Sequence, residues 1–376
     1  MLTKDGCLTR QDRLRQYLIE NHLDAALITD RHDIYYFTGK LLPVMPVTLP
    51  GIFWLRADGE TFLIAPEVSY EPYVNEFIAY SHNSGGTSHP DLLSRANALF
   101  QSRLSGQTAK RIGYQIEFAP LLMLHTATAL LHVPEWVAID QTLQRLQIRK
   151  DADELALIKK AVAINLAAYD AAQKMIVPGV RECDVFAAAK QATVIAAGED
   201  AYHNGDYQCG VGGGFARDRQ IQAGELYIID AWTNYRGYWS DLSRVFIVGD
   251  TVTDLQQSVF EHIKAIFADI PAQLKPGVDG TALYHWLDAR LRQHPAIAGS
   301  GLTHHAGHNL GLRAHEQPDM NPERGGILEV GCVITMEPGV YLPALNAGFR
   351  IENMYLVTEK GGELLSEYPI ELHPKR

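Results

Sequence analysis

The stretch Leu226-Tyr-Ile-Ile-Asp-Ala-Trp-Thr-Asn-Tyr-Arg-Gly-Tyr-Trp-Ser-Asp241 decides how this chain is read. Its two flanks are rich in aromatic and β-branched residues, which predicts strands. Asn234-Tyr-Arg-Gly237 between them suits a hairpin turn. A turn centred between Tyr235 and Arg236 sets Asp230 directly opposite Asp241. Like charges facing each other across a ladder destabilise it, and the apolar residues before Asp230 argue against simple exposure. A multivalent cation, or two, between the carboxylates is the economical explanation.

The pattern recurs. Glu337 stands in Ile334-Thr-Met-Glu-Pro-Gly339, and Glu352 in Phe349-Arg-Ile-Glu352. Pro338, Gly339 and Pro343 mark a turn region. A hairpin centred between Ala344 and Leu345 again opposes two carboxylates. Between the pairs lies Thr303-His-His-Ala-Gly-His308-Asn-Leu-Gly-Leu-Arg-Ala-His315-Glu316. Taken singly, each residue has an ordinary reading: a solvated Asp at a strand end, a loop His beside Gly, a Glu entering a turn. The conjunction of two carboxylate hairpins around a histidine cluster points instead to a ligand set for two hard-to-borderline divalent ions.

Composition frames this reading. The 376 residues suffice for two domains with full cores, and 47% hydrophobic with 20% charged content is ordinary for a globular protein. No apolar run reaches membrane-spanning length, and Met1–Arg10 lacks a signal-peptide hydrophobic region. Cys7, Cys183, Cys209 and Cys332 show no paired spacing, so a reducing cytoplasm is the expected compartment. The net charge is −11, and the acidic excess falls almost entirely after residue 150, in the half that carries the carboxylate pairs. A surface of this sign argues against nucleic acid as a partner.

Periodicity predicts an opening helix over 9–22, strands at 25–29, 51–55, 60–65 and 111–114, and helices at 92–100 and 119–131. This alternation suggests an α/β unit. Residues 143–149 read as the link between domains. A long helix follows to Lys174, capped by Asp151 or Asp153. Further helices read at 182–197, 255–274 and 281–293, the last capped by Asp279 or Thr281.

From residue 145 to 370 the motifs resemble those of the pita-bread metallopeptidases: prolidase, aminopeptidase P and methionine aminopeptidase. They are Ile228-Ile-Asp230, Gly237-Tyr-Trp-Ser-Asp241-Leu-Ser-Arg244-Val-Phe246, His304-His-Ala-Gly-His308-Asn-Leu-Gly-Leu312, Ala314-His315-Glu316, Met336-Glu337-Pro-Gly-Val-Tyr341 and Arg350-Ile-Glu352-Asn-Met-Tyr-Leu-Val-Thr358. Arg13–Thr29 and Asp33-Ile-Tyr-Tyr-Phe-Thr-Gly39 resemble the creatinase/prolidase N-domain, which points to the Xaa-Pro peptidase branch. The resemblance implies an α+β pita-bread catalytic domain over 146–376, preceded by a smaller α/β domain over 1–145. It implies Asp230, Asp241, His308, Glu337 and Glu352 as ligands of two divalent ions. Manganese is the first expectation; cobalt, zinc and iron tolerate the same donors. It further implies His304 and His315 as substrate-binding residues, a small peptide as substrate, a homodimer, and no membrane partner.

The chemistry expected is metal-assisted hydrolysis of a peptide bond preceding proline. His315 would polarise the carbonyl oxygen. Glu337 would relay the proton to the leaving amine. Arg350 would hold either a ligand carboxylate or the substrate. Three positions depart from the family pattern. Gly213, in Gly210-Val-Gly-Gly-Gly214, stands where a substrate-contacting His is usual; His305 replaces a usual Gly; Asn353 replaces a common Asp. His203 is the nearest upstream imidazole and is taken as the catalytic stand-in, with Cys209 or Arg217 as the candidates for the vacated space. The glycine at 213 keeps an alternative open, a non-peptidase hydrolase or lyase on the same scaffold.

Overall fold

A computed structural model describes residues 1–375 except 44–46, 68–69, 133–134 and 211. The chain divides into two compact units, Met1–Gln147 and Ile148–Arg376.

In the first unit, Leu14 and Leu18 recur on one buried face of the helix Lys4–Glu20, whose N-cap Thr3 accepts from Gly6 N. Described strands form a six-stranded mixed sheet in the order Glu76–Tyr80, Thr61–Pro66, Ile52–Arg56, Ala25–Ile28, Arg111–Tyr114, Glu135–Ala138. Trp54, Phe62 and Phe100 meet in its core. The segment expected as a link is mostly helical instead: Asp140–Gln147 forms a helix that buries Leu143.

The second unit is built to carry the carboxylate strands. Its long helix Ala152–Lys174 opens with a capping box between Asp151 and Glu154. It packs on the helix Glu182–Ala197 and on the strands Leu226–Tyr235 and Tyr238–Ile247. Asn165 Nδ2 donates to Ala231 O at 2.7 Å and Tyr169 OH donates to Ile229 O at 3.0 Å, so polar groups of the helix fix the backbone on either side of Asp230. The expected helix over 255–274 is two pieces, Asp254–Ile266 and Ile270–Gln273, with Pro271 starting the second. Helix Gly280–Leu291 is capped by Asp279, which accepts from Thr281 N.

The first carboxylate hairpin forms, but with a different turn centre. Arg236 and Gly237 both have positive φ, 49° and 91°, and Tyr235 pairs with Tyr238. That is a two-residue turn of the primed type, whose twist matches the strands it joins. The centre therefore falls one residue later than expected. Asp230 pairs with Ser243, and Trp232 with Asp241. Because side chains alternate with period two, both aspartates still share one face, as diagonal neighbours rather than opposite ones.

The second hairpin keeps the expected register. Met336 pairs with Asn353 in one ladder and Gly339 with Arg350 in the next. Glu337 and Glu352 occupy the opposed positions at the break between the two ladders. There each backbone turns to a new partner: Glu337 N donates to Ala306 O and Glu352 N to Ser243 O. The second of these bonds ties the two carboxylate hairpins together.

Candidate metal centre

Asp230, Asp241, His308, Glu337 and Glu352 come from five different strands or strand ends and line one cavity of about 450 Å³. His304, His305, His315 and Arg350 border it as well. The glutamates and Asp241 are buried to within 8% of their surface, and His308 to 2%. A larger cavity of about 870 Å³ lies in the N-terminal unit beside Arg31, His32 and His89. No cluster of metal-capable side chains among the described residues lies there.

His308 Nδ1 faces the Asn309 carbonyl at 3.1 Å. That contact puts the ring proton on Nδ1 and leaves the Nε2 lone pair toward Glu337 Oε1, 3.7 Å away, and Asp241 Oδ2, 4.0 Å away. Asp230 Oδ1, Asp241 Oδ1 and Glu352 Oε1 are buried without a hydrogen-bond partner. Buried carboxylate oxygens of this kind are costly unless a cation meets them. The donor set is therefore the right one for divalent ions: four carboxylates and an imidazole with free lone pairs on a shared cavity.

The electrostatics show the same strain. Burial, and then the neighbouring carboxylates, push Asp241 and Glu352 well above the usual carboxylate range. Burial raises Asp230 to about 6, against the opposing pull of Arg350. Glu337 goes the other way: burial would raise it, but His305, His308 and His304 bring it down to about 2. Burial lowers His308 to about 3, with His315 adding to the effect. His315 stacks on the His308 ring at 3.8 Å between centroids, and burial lowers it also.

Arg350 is claimed by carboxylates rather than open to a ligand. Its Nη2 lies 2.6 Å from Asp230 Oδ2 and also donates to Asp206, while Nη1 donates to Tyr341 OH at 3.0 Å. Tyr341 OH in turn lies 3.3 Å from His304 Nε2. Of the two roles open to Arg350 in the sequence, the structure supports the first, holding Asp230.

His203 does not reach the cavity. It is fully buried on the opposite face of its strand, with Nδ1 at 2.9 Å from Thr233 Oγ1 and Nε2 at 2.7 Å from Tyr207 OH. The parity of the strand decides this: Asp206 and His203 are three residues apart and so face opposite ways. Cys209 and Arg217 do not fill the space by Gly213 either. Cys209 is buried, which pushes its thiol well up, and Arg217 pairs with Glu182. Asp206 takes the space. The strand Tyr202–Cys209 pairs with Leu226–Tyr235 so that Asp206 stands opposite Asp230. Sequence reasoning missed it because Tyr202–Cys209 mixes Gly, Asn, Asp and Gln with no β-branched residue. Its alternation of His203, Gly205, Tyr207 and Cys209 on the buried face was the available signal.

Comparisons with known proteins agree with this geometry. Residues 156–359 match metallopeptidase family M24, and residues 10–148 match the creatinase/prolidase N-terminal domain. The chain is 28% identical to the Xaa-Pro dipeptidase of Pyrococcus furiosus, over 96% of this chain and 99% of that one. It is 29% identical to an uncharacterized peptidase of Bacillus subtilis, over 96% and 98%. The crystal structure of the prolidase from Pyrococcus horikoshii superposes with a TM-score of 0.77 at 25% identity, covering 97% of this chain and 99% of that one. With a creatinase/prolidase-type domain in front and a pita-bread domain that gathers carboxylates and histidines behind, this chain belongs to metallopeptidase family M24 and is a peptidase.

Proposed function

We propose that the chain is a dinuclear metal-dependent peptidase of the Xaa-Pro dipeptidase or aminopeptidase type. The ions would be held by Asp230, Asp241, His308, Glu337 and Glu352. The observation that carries the reading is the set of three buried carboxylate oxygens without partners, on residues that line one small cavity with His308. The names of the relatives support the substrate class.

When bound, the ions supply a Lewis acid and a water acidic enough to lose its proton near neutral pH. Glu337, charged beside three imidazoles, accepts the proton of the attacking water and passes it to the leaving amine. His315 hydrogen-bonds the carbonyl oxygen as it gains charge. Arg350 fixes Asp230 and is itself fixed by Asp206 and Tyr341. A cavity of about 450 Å³ suits a small peptide.

The test is hydrolysis by metal-loaded protein of Xaa-Pro dipeptides, longer Xaa-Pro peptides and matched non-proline amides. Asp241→Asn serves as the ligand-deficient control. Cleavage of Xaa-Pro bonds that disappears in the variant supports the reading. A second reading, a non-peptide C–N or C–S substrate on the same centre, is favoured by one feature: a carboxylate, Asp206, occupies the space beside Gly213. Negligible Xaa-Pro cleavage by fully loaded protein would move the assignment there.

A further inference from the structure

We propose that His305 is a further metal-ligating residue, a second imidazole for the ion that Glu337 holds, and that it turns the selectivity of the centre from manganese toward cobalt and zinc. The inference rests on the dinuclear reading above. His305 Nδ1 lies 3.2 Å from Glu337 Oε1. The same carboxylate oxygen lies 3.7 Å from His308 Nε2. Two donors bound at about 2.1 Å to one ion stand roughly 3.0–3.4 Å apart at octahedral or tetrahedral angles. The imidazole and the carboxylate are thus already spaced as groups that share an ion.

The state of the ring nitrogen points the same way. His305 Nδ1 is shut off from solvent, and the carboxylate it faces is Glu337. Metal binding requires the ring to give up its proton there, and the Nδ1 lone pair then stands beside Glu337. Its neighbour His304 is differently placed: its Nδ1 donates to His305 O at 2.7 Å and its Nε2 faces Tyr341 OH. Of the two adjacent histidines, His305 is the one whose buried ring nitrogen meets the carboxylate rather than a backbone carbonyl. Its ring also stands edge-on to those of His308 and His315, at 5.5 and 5.4 Å, so it is packed into the histidine cluster rather than left on a loop.

The consequence follows from ligand chemistry. Carboxylates alone suit manganese and other hard ions. Each added imidazole favours the borderline ions, in the order in which affinity rises from manganese through iron to cobalt. A centre with His305 beside His308 has two nitrogen donors near Glu337 where the five-ligand set supplies one.

The experiment uses full-length protein stripped of metal. Wild type, His305→Ala and His305→Gln are dialysed against equal concentrations of Mn²⁺ and Co²⁺, and bound metal is counted by mass spectrometry. The visible spectrum of the cobalt form is recorded in parallel. Wild type is expected to prefer cobalt, with the ratio of bound cobalt to manganese falling about tenfold or more in both variants. The cobalt bands should shift while manganese binding stays near wild type. An unchanged ratio and unchanged bands in variants that bind two ions overturn the role of His305 and leave the dinuclear reading intact. Wild-type protein that binds no divalent ion overturns both. If His305→Ala unfolds, His305→Gln gives the same discrimination.

Discussion

Gly213 approaches Asp206 so closely that a Cβ on its backbone would stand 2.3 Å from Asp206 Oδ2 and 3.3 Å from Arg350 Nη2. Its φ of 138° lies where side chains are strained. The glycine is thus tied to the carboxylate: any side chain at 213 displaces the Asp206–Arg350 pair that braces Asp230. Gly213→Ala is expected to cost about 1–3 kcal/mol of stability and to weaken metal binding, read by urea unfolding and calorimetry. A variant as stable and as tightly loaded as wild type would separate the two residues.

His203 is expected to matter for stability and not for turnover. Its two ring nitrogens serve Thr233 and Tyr207, and Phe186 stacks on it with centroids 6.3 Å apart. His203→Ala leaves those hydroxyls without partners, at about 1–3 kcal/mol. KM and kcat on the best peptide should stay within about threefold of wild type, a change of well under 1 kcal/mol. A large loss of kcat in folded, metal-loaded variant would restore the histidine to the site.

His315 borders the cavity, and it belongs to none of the groups of three or more close-set metal-capable side chains among the described residues. His315→Ala is therefore expected to lower kcat by roughly a hundredfold or more, the scale of a lost transition-state donor. Metal content, counted on the same preparation, should not change. Loss of an ion would reassign the ring as a ligand, or as the support of His308 on which it stacks.

Metal and pH should act on stability with opposite signs. In metal-free protein, Asp241 and Glu352 hold protons that the unfolded chain has released, and His305, raised by Glu337 against burial, acts alike. The lowered imidazoles of His308 and His203 oppose this only below the ordinary value of 6.5. Above it, stability of the metal-free form should fall as pH rises, until Asp241 and Glu352 have ionised in the folded state. Bound ions require the deprotonated ligands, so the gain in Tm on adding metal should grow over the same range. Thermal melts with and without chelator test both slopes; a metal-free form that gains stability across that range contradicts the first.

Much of the candidate site was legible because its carboxylates lie on strands whose parity the sequence displays. Glu337 and Glu352 could be paired from Pro338, Gly339 and Pro343 alone. Asp230 and Asp241 were placed on one face although the turn was set one residue early. The shift came from Arg236, a residue that seldom takes positive φ and gives no sign in the sequence that it will. Asp206 was hidden for a different reason. Its strand carries few residues of strong β preference, and it forms because its buried face packs inward on the helix Glu182–Ala197, where Phe186 meets the Tyr207 ring at 5.1 Å and Glu182 accepts from Cys209 N. Tertiary packing, not local propensity, makes that strand. The place of His203 depends on the same strand, and so was misjudged with it.

Arg244 is buried, and its guanidinium donates to Ser243 O, Glu352 O, Asn353 Oδ1, Tyr368 O and Pro369 O. One side chain therefore joins the aspartate hairpin, the glutamate strand and a segment near residue 370. During synthesis, the carboxylate strands emerge from the ribosome well before residues 368 and 369 do. Until those two carbonyls arrive, the guanidinium lacks two of its five acceptors. The Tyr368–Pro369 segment is thus part of the support of Glu352, although it lies well beyond the carboxylate strands in sequence.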